Sequence, residues 1–364
     1  MANPDLKSTL ATCTFYPVRV DLCRRLIWFA EIERETYRQA GFLVPRQARM
    51  SEARYGFNLD DVLLHDLGLP IGGASSHYIF ISAFCCSTLL ARLLDEAPNC
   101  LVLREPGILG QLAMVRYRPG TPEASAEREK DWRTWAGLGL RLLTRTFEPS
   151  QTVIVKAADV CNTMGDVILA DDPRSKGVLL SVGLRTFILS VLKLEDRRKW
   201  TRRRAAFWHK TLRLFPALNG VNVAELDDAR KAAYVWLVTA ALWDRFRKQA
   251  DPERLLLMDG EEVSEDPARA LRNVTAFFGL PLEESRLEEI STNPVLSHHA
   301  KFTDRVYDAA TRRSDRADWE TRFGAEADRA MEWAAPIQQA LESDGVKLGA
   351  MAGVEGKEVL QCSA

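Results

Sequence analysis

The sequence predicts an α/β fold: a three-layer sandwich around a central parallel sheet, of P-loop type, with an N-terminal helical segment ahead of it. Three observations carry this. Short, continuous apolar runs at 77–82, 100–103, 152–156, 177–182 and 254–258 have the composition of parallel strands covered on both faces. Longer stretches of helical character lie between them, at 87–96, 129–147, 185–216 and 226–249, and such alternation predicts helices on both sides of one sheet. The first strand also runs directly through Ala83-Phe84-Cys85-Cys86 into a helix that begins with Ser87 and Thr88.

Taken in order, residues 19–40 place Leu22, Leu26, Phe29 and Ile32 at helical spacing, so residues 1–76 are expected to form an appended helical layer, a lid or a docking surface. The α/β domain is expected over 77–345. Its first helix carries Leu90, Leu93, Leu94 and Ala97 at i, i+3, i+4 and i+7. Segments 117–128 and 170–176 have loop composition, and 346–364 reads as a loose tail. The net charge of −1, from 49 basic and 50 acidic residues, gives no electrostatic reason for a nucleic-acid or strongly anionic membrane partner. Seven cysteines without zinc-type spacing and without a secretory leader read as free thiols of a cytoplasmic protein. No apolar run is long enough for a membrane span, and no metal site is expected.

The turn at 83–88 is the chemical centre of the sequence. A strand, a tight turn and a helix N-terminus together make an anion site, because the first N–H groups of the helix and its dipole point at one spot. Ser87 and Thr88 add hydroxyls there. The turn has neither the glycines nor the lysine of the usual G-x-x-x-x-G-K-[ST] loop. Cys85 and Cys86 read as small, inert thiols, since no histidine stands nearby in sequence to activate one.

Three separated motifs resemble one family. They are the strand–loop–helix followed by Leu103-Arg104-Glu105-Pro106-Gly107; Leu255-Leu-Leu-Met-Asp-Gly-Glu-Glu-Val-Ser-Glu-Asp-Pro267 with the helix that runs on to Gly279-Leu-Pro281; and Arg312-Arg313-Ser314-Asp315-Arg316-Ala317-Asp318-Trp319. Together they resemble the sulfotransferases that use 3′-phosphoadenosine 5′-phosphosulfate (PAPS), over roughly residues 77–335. The second motif also reads as a well-punctuated core helix, with Asp266 as N-cap, Pro267 in the first turn and Gly279 as the left-handed stop.

The resemblance implies a PAPS cofactor, no metal, and a small-molecule, lipid or saccharide acceptor. It implies that Cys85, Cys86, Ser87 and Thr88 line the 5′-phosphosulfate, although Phe84 stands where the family has a basic residue and Cys86 where it has glycine. A side chain in place of that glycine either forces φ below zero or imposes strain. Lys156, at the end of a buried strand, is the first candidate for the displaced cation, ahead of Arg104 and Arg92. Glu105 is the candidate general base, with His77, His298 and His299 as alternatives and His65 and His209 as structural histidines. Arg185 and Ser190 are candidates for the 3′-phosphate, although Arg185 falls three residues later than the family spacing. Arg312 and Arg313, with Lys301 beside them, fit that role better, since paired guanidinium forks suit one phosphate. The basic run from Lys193 to Arg204 reads as a solvated helical face, or as a dock for an acidic acceptor. Trp132, Trp135, Trp208 and Trp236 read as core. The competing readings are a P-loop kinase and a non-catalytic scaffold of the same fold.

Overall fold

The computed structural model describes residues 4–45, 48, 50–66, 75–116, 122–211, 214–280, 282–291, 298–299, 302–306 and 309–351. The N-terminal layer corrects the expectation of a helix over 19–40. After a short helix α1 (Leu6–Leu10), strands β1 (Phe15–Asp21) and β2 (Leu26–Glu31) form an antiparallel hairpin; helix α2 (Arg34–Gln39) and strand β3 (Tyr55–Asn58) follow, β3 pairing with β2, and then helix α3 (Leu59–Asp66). The physical reason lies in the turn. Asp21 accepts the Arg24 N–H at 3.1 Å and Arg25 takes φ +52°, which reverses the chain inside the expected helix. Val18, Ile27 and Phe29 are then buried at strand spacing.

The central sheet forms as expected from β4 (Ser76–Ile81), β5 (Cys100–Arg104), β6 (Thr152–Lys156), β7 (Gly177–Ser181) and β8 (Leu255–Asp259), all parallel, in the order β5-β6-β4-β7-β8. Strands β4, β6 and β7 are buried along their whole length, so their continuous apolar runs meet helices on both faces. Chain connections leave β4 in one direction to reach β5 and β6, and the sheet then continues on its other side through β7 and β8. The C-terminal end of β4 is therefore the switch point, where such sheets open a ligand crevice.

Helix α4 (Ser87–Asp95) follows β4, and α5 (Gly107–Val115) and α6 (Pro122–Leu143) follow β5. Helix α6 takes in the end of the stretch expected as a loop over 117–128, whose first residues lie outside the described ones. Helix α7 (Gly165–Asp171) precedes β7. The single helical stretch expected at 185–216 is two helices, α8 (Leu184–Leu192) and α9 (Glu195–Thr211), followed by α10 (Pro216–Asn219) and the long α11 (Asp228–Arg247). Trp208, Trp236 and Trp243 are fully buried against these helices. Helices α12 (Gly260–Glu265) and α13 (Pro267–Phe278) follow β8 directly; Asp266 caps α13 through the Arg269 N–H at 2.9 Å, and Gly279 ends it at φ +77°. Helix α14 (Glu284–Ser291), a small antiparallel pair β9 (His298–His299) and β10 (Phe302–Val306), and helix α15 (Ala309–Ser343) complete the chain. Residues 352–364 of the expected tail lie outside the described ones. The cysteines among the described residues are free thiols, and no described helix is long and apolar enough to cross a membrane.

Candidate active site

The turn after β4 is built from residues in the left-handed region. Ala83, Phe84 and Cys86 have φ of +65°, +54° and +59°, and Glu105, at the end of β5, has +50°. These are four of the six non-glycine residues with positive φ among the described residues, so backbone strain concentrates on one corner of the molecule. The Cys86 carbonyl takes the Leu89 and Leu90 N–H groups at 3.0 and 3.2 Å, which leaves the Ser87 and Thr88 N–H groups ahead of the helical ladder. Their side chains are buried. Cys85 is buried too, and burial pushes its thiol pKa up, so it is a poor nucleophile.

Helix α12 presses on this turn. A Cβ on Gly260 would lie 2.3 Å from the Cys85 carbonyl oxygen, so only glycine fits at this position of the second motif. From the other side, Asn162 donates to the Ile81 carbonyl at 2.9 Å and accepts from Trp243 Nε1 at 2.9 Å, while Trp236 Nε1 donates to the Val182 carbonyl at 2.9 Å. Helix α11 thus fixes the ends of β4 and β7 beneath the site.

The two residues expected to do chemistry meet. Lys156 Nζ forms a salt bridge with Glu105 Oε1; the lysine side chain is 1% exposed and the glutamate 25%. The Glu105 N–H also bonds the Lys156 carbonyl at 2.7 Å, which holds both strand ends in register. The Phe42 ring lies 5.3 Å from Lys156 Nζ, so the N-terminal layer walls this side. Behind the pair, Arg204 meets the buried Asp159 carboxylate at 2.6 and 3.0 Å.

Other candidates separate. Arg104 is fully buried, with Nε on the Ala40 carbonyl at 2.8 Å, another nitrogen on the Tyr37 carbonyl at 2.6 Å and a salt bridge to Asp95; it holds the N-terminal layer. His77 sits at the opposite, N-terminal end of β4, stacked on Phe278 at 4.6 Å, and burial lowers its pKa to about 4. It is a neutral core residue. Arg185 is paired with Glu320 at 2.8 Å and with Asp328, both on α15. Ser190 is buried, and its carbonyl takes an Arg197 N–H at 3.0 Å. Arg312 and Arg313 stand in the first turns of α15, so the third motif is helix here, with Ser314 and Ala317 compatible with helix and no glycine to break it. Their side chains, those of His298 and His299, and Lys301 lie outside what the structure describes. Arg316, one turn on, bonds Glu261 Oε1 at 2.5 Å and Thr186 Oγ1 at 3.3 Å, which ties the start of α15 to the residue after Gly260.

The basic run from Lys193 to Arg204, expected as a solvated helical face or an acidic-acceptor dock, is a solvated face only in part. Its residues split by face. Arg202 pairs with Asp228 at 2.6 Å and Glu195 at 3.1 Å on the outside. Arg197, Trp200 and Arg204, spaced three and four apart, share another face of α9, and Lys193 stands in the turn before it. Lys193 Nζ lies 3.3 Å from the Trp319 ring centroid, and the Arg197 guanidinium 4.6 Å from that of Phe84. Trp200 packs edge-on to Phe84 at 5.0 Å. That helical spacing was the available signal.

Residues 229–335 match the family model described as the sulfotransferase domain. The stretch runs from α11 into α15; it includes the second and third motifs and excludes the loop after β4. No curated protein matches the sequence. Among solved structures, the chain is similar to the sulfotransferase domain from the curacin biosynthetic pathway, at 16% identity, covering 64% of this chain and 83% of that one, with a TM-score of 0.37. It is also similar to sulfotransferases from Mycobacterium tuberculosis (14% identity, 63% and 73% covered, TM-score 0.37) and Mycobacterium avium (13%, 74% and 84%, TM-score 0.38).

Proposed function

We propose that the protein is a sulfotransferase that moves a sulfuryl group from PAPS to a hydroxyl, or an amine, of a small-molecule, lipid or saccharide acceptor. The observation that carries this reading is the meeting of an anion-ready helix start with a buried lysine–carboxylate pair at the switch point of the sheet. The cradle suits a 5′ anion: Ser87 and Thr88 open α4 with their N–H groups ahead of the helical ladder, beside a loop pressed close by Gly260. PAPS, when bound, supplies the activated sulfuryl group.

In this reading Glu105 takes the proton of the acceptor hydroxyl. Its Oε1 is held by Lys156, and the partial exposure of the side chain leaves the carboxylate reachable. Lys156 balances negative charge at the strand ends from a site with little water around it. Arg312 and Arg313 would take the 3′-phosphate in preference to Arg185, which is paired with Glu320 and Asp328. Fixed cations and N–H groups handle the charge, so the reading calls for no metal.

Thermal denaturation with 3′-phosphoadenosine 5′-phosphate against Mg·ATP tests the cofactor. The expected result is a rise in melting temperature with the former at concentrations where Mg·ATP gives none; the reverse would favour a kinase, and no rise with either a scaffold. Once an acceptor is found, Glu105→Gln is expected to lower turnover by about 10²–10⁴-fold. Unchanged turnover would remove Glu105 from the mechanism.

A further inference from the structure

We infer that the cation facing the 5′ anion of the cofactor comes from helix α9, through Arg197 held over the Phe84 ring, and not from the loop itself. This inference rests on the sulfotransferase reading and answers its open point, the absence of a basic residue at position 84. The Arg197 guanidinium lies 4.6 Å from the Phe84 centroid, and one of its N–H groups is anchored on the Ser190 carbonyl at 3.0 Å. The ring is itself fixed, edge-on to Trp200 at 5.0 Å and 5.9 Å from Phe187. A guanidinium over an aromatic ring turns its face to the ring and its N–H groups outward in its own plane, a geometry that suits an oxyanion and that an ammonium cannot reproduce. Phe84 is thus the platform for a cation borne by another element.

The neighbours of Arg197 support the same direction. Lys193, in the turn that precedes α9, lies over Trp319 of α15 and is close enough to Cys86 and Arg197 for their charges to shift its pKa. Arg204, two turns later, is matched by Asp159. The turn before α9 and the first turn of that helix therefore bring Lys193 and Arg197 to the loop, and Arg204 carries the line on to Asp159. The charge that the loop lacks is regained across the crevice.

Calorimetric titration separates this role from a packing role. Two probes are used: 3′-phosphoadenosine 5′-phosphate, which carries the 5′ anion, and adenosine 3′-phosphate, which lacks it. Arg197→Met is expected to weaken the first by about 10–100-fold, the range for a lost charge-assisted hydrogen bond, and to leave the second unchanged. Phe84→Lys in the Arg197→Met background is expected to regain most of the loss, because it returns a cation to the loop; a purely structural role for Arg197 has no such rescue. If Arg197→Met does not fold, Arg197→Lys and Phe84→Leu carry the test, each expected to weaken only the probe with the 5′ anion. Equal weakening of both probes, or of neither, overturns the inference while the cofactor reading stands. A wild-type protein that binds neither probe overturns both.

Discussion

Cys86 shows how one side chain sets the character of the whole turn. A left-handed conformation costs an L-residue roughly 1–2 kcal/mol, and here φ is +59° at a position where glycine would take it without strain. The strain recurs at Ala83 and Phe84, so the turn is held by its surroundings: the Gly260 backbone on one side, Phe187 and Trp200 around the Phe84 ring on the other. Of these, the cysteine is the residue whose side chain can be removed without emptying the core. Cys86→Gly is expected to stabilise the protein by about 0.5–1 kcal/mol, the relief of strain less the extra backbone entropy of glycine in the unfolded chain. Urea denaturation reads this directly. A loss of stability would mean that the thiol makes a contact worth more than the strain it imposes.

At the scale of elements, sequence and structure agree where a residue pattern has a single physical solution. The five apolar runs became the five strands of the sheet: β4, β6 and β7 are buried along their whole length, and β5 and β8 close its edges. The Asp266-Pro267 start and Gly279 stop of α13 were legible for the same reason: each needs only its own local geometry. Residues 19–40 were not, since Leu22, Leu26, Phe29 and Ile32 fit a helix as well as a hairpin, and the turn at Arg25 carries no glycine to mark it. The site was half legible. Lys156 and Glu105 follow from strand ends, whereas the inward stripe of α9 depends on which neighbour covers which face. The lysine in the turn before that stripe has a measurable consequence. Burial, and then the charge of Arg197, lower the Lys193 pKa from 10.5 to about 7, with Asp315 and Cys86 acting weakly the other way. Between pH 7 and about 10 the unfolded chain holds this proton and the folded one does not, so the Lys193 contribution makes stability rise with pH across that window. Below pH 7 both states are protonated, and the cost of burying the charge is borne in full. A bound anion beside the loop favours the charged form. Binding of 3′-phosphoadenosine 5′-phosphate at pH 8 is therefore expected to take up a fraction of a proton, seen as a heat that varies with the ionisation enthalpy of the buffer. Lys193→Met should abolish that dependence; if it persists, another group supplies it.

For the molecule as a whole, the N-terminal layer is part of the site and not an accessory to it. It is fastened to the sheet by polar contacts to backbone, which are specific in a way that apolar packing alone is not. Arg145 reaches the carbonyls of Thr9, Thr12 and Phe15 at 2.7–2.9 Å. Gln111 accepts the Val20 N–H at 3.0 Å and donates to the Val18 carbonyl at 3.3 Å, occupying the outer edge of β1. Arg104, fully buried at the end of β5, binds the Tyr37 and Ala40 carbonyls and Asp95. Between these anchors the segment at 40–44 runs past the site: the Leu43 N–H bonds the Arg104 carbonyl at 2.7 Å, the Leu43 carbonyl takes the Gly107 N–H at 3.3 Å, and Phe42 covers Lys156. Glu105 lies between the two backbone bonds, so its left-handed conformation is fixed by a segment distant in sequence. Removing the Arg104 charge would orphan several carbonyls and Asp95 together. Arg104→Met is expected to cost about 3–5 kcal/mol, the range for breaking a buried ion pair from one side. The loss should appear first as protease cleavage within residues 34–45, ahead of global unfolding, and it should weaken any cofactor-dependent turnover through Glu105. Protection of that segment equal to wild type, in a variant that has lost several kcal/mol, would show that Arg104 stabilises the sheet and not the layer over it.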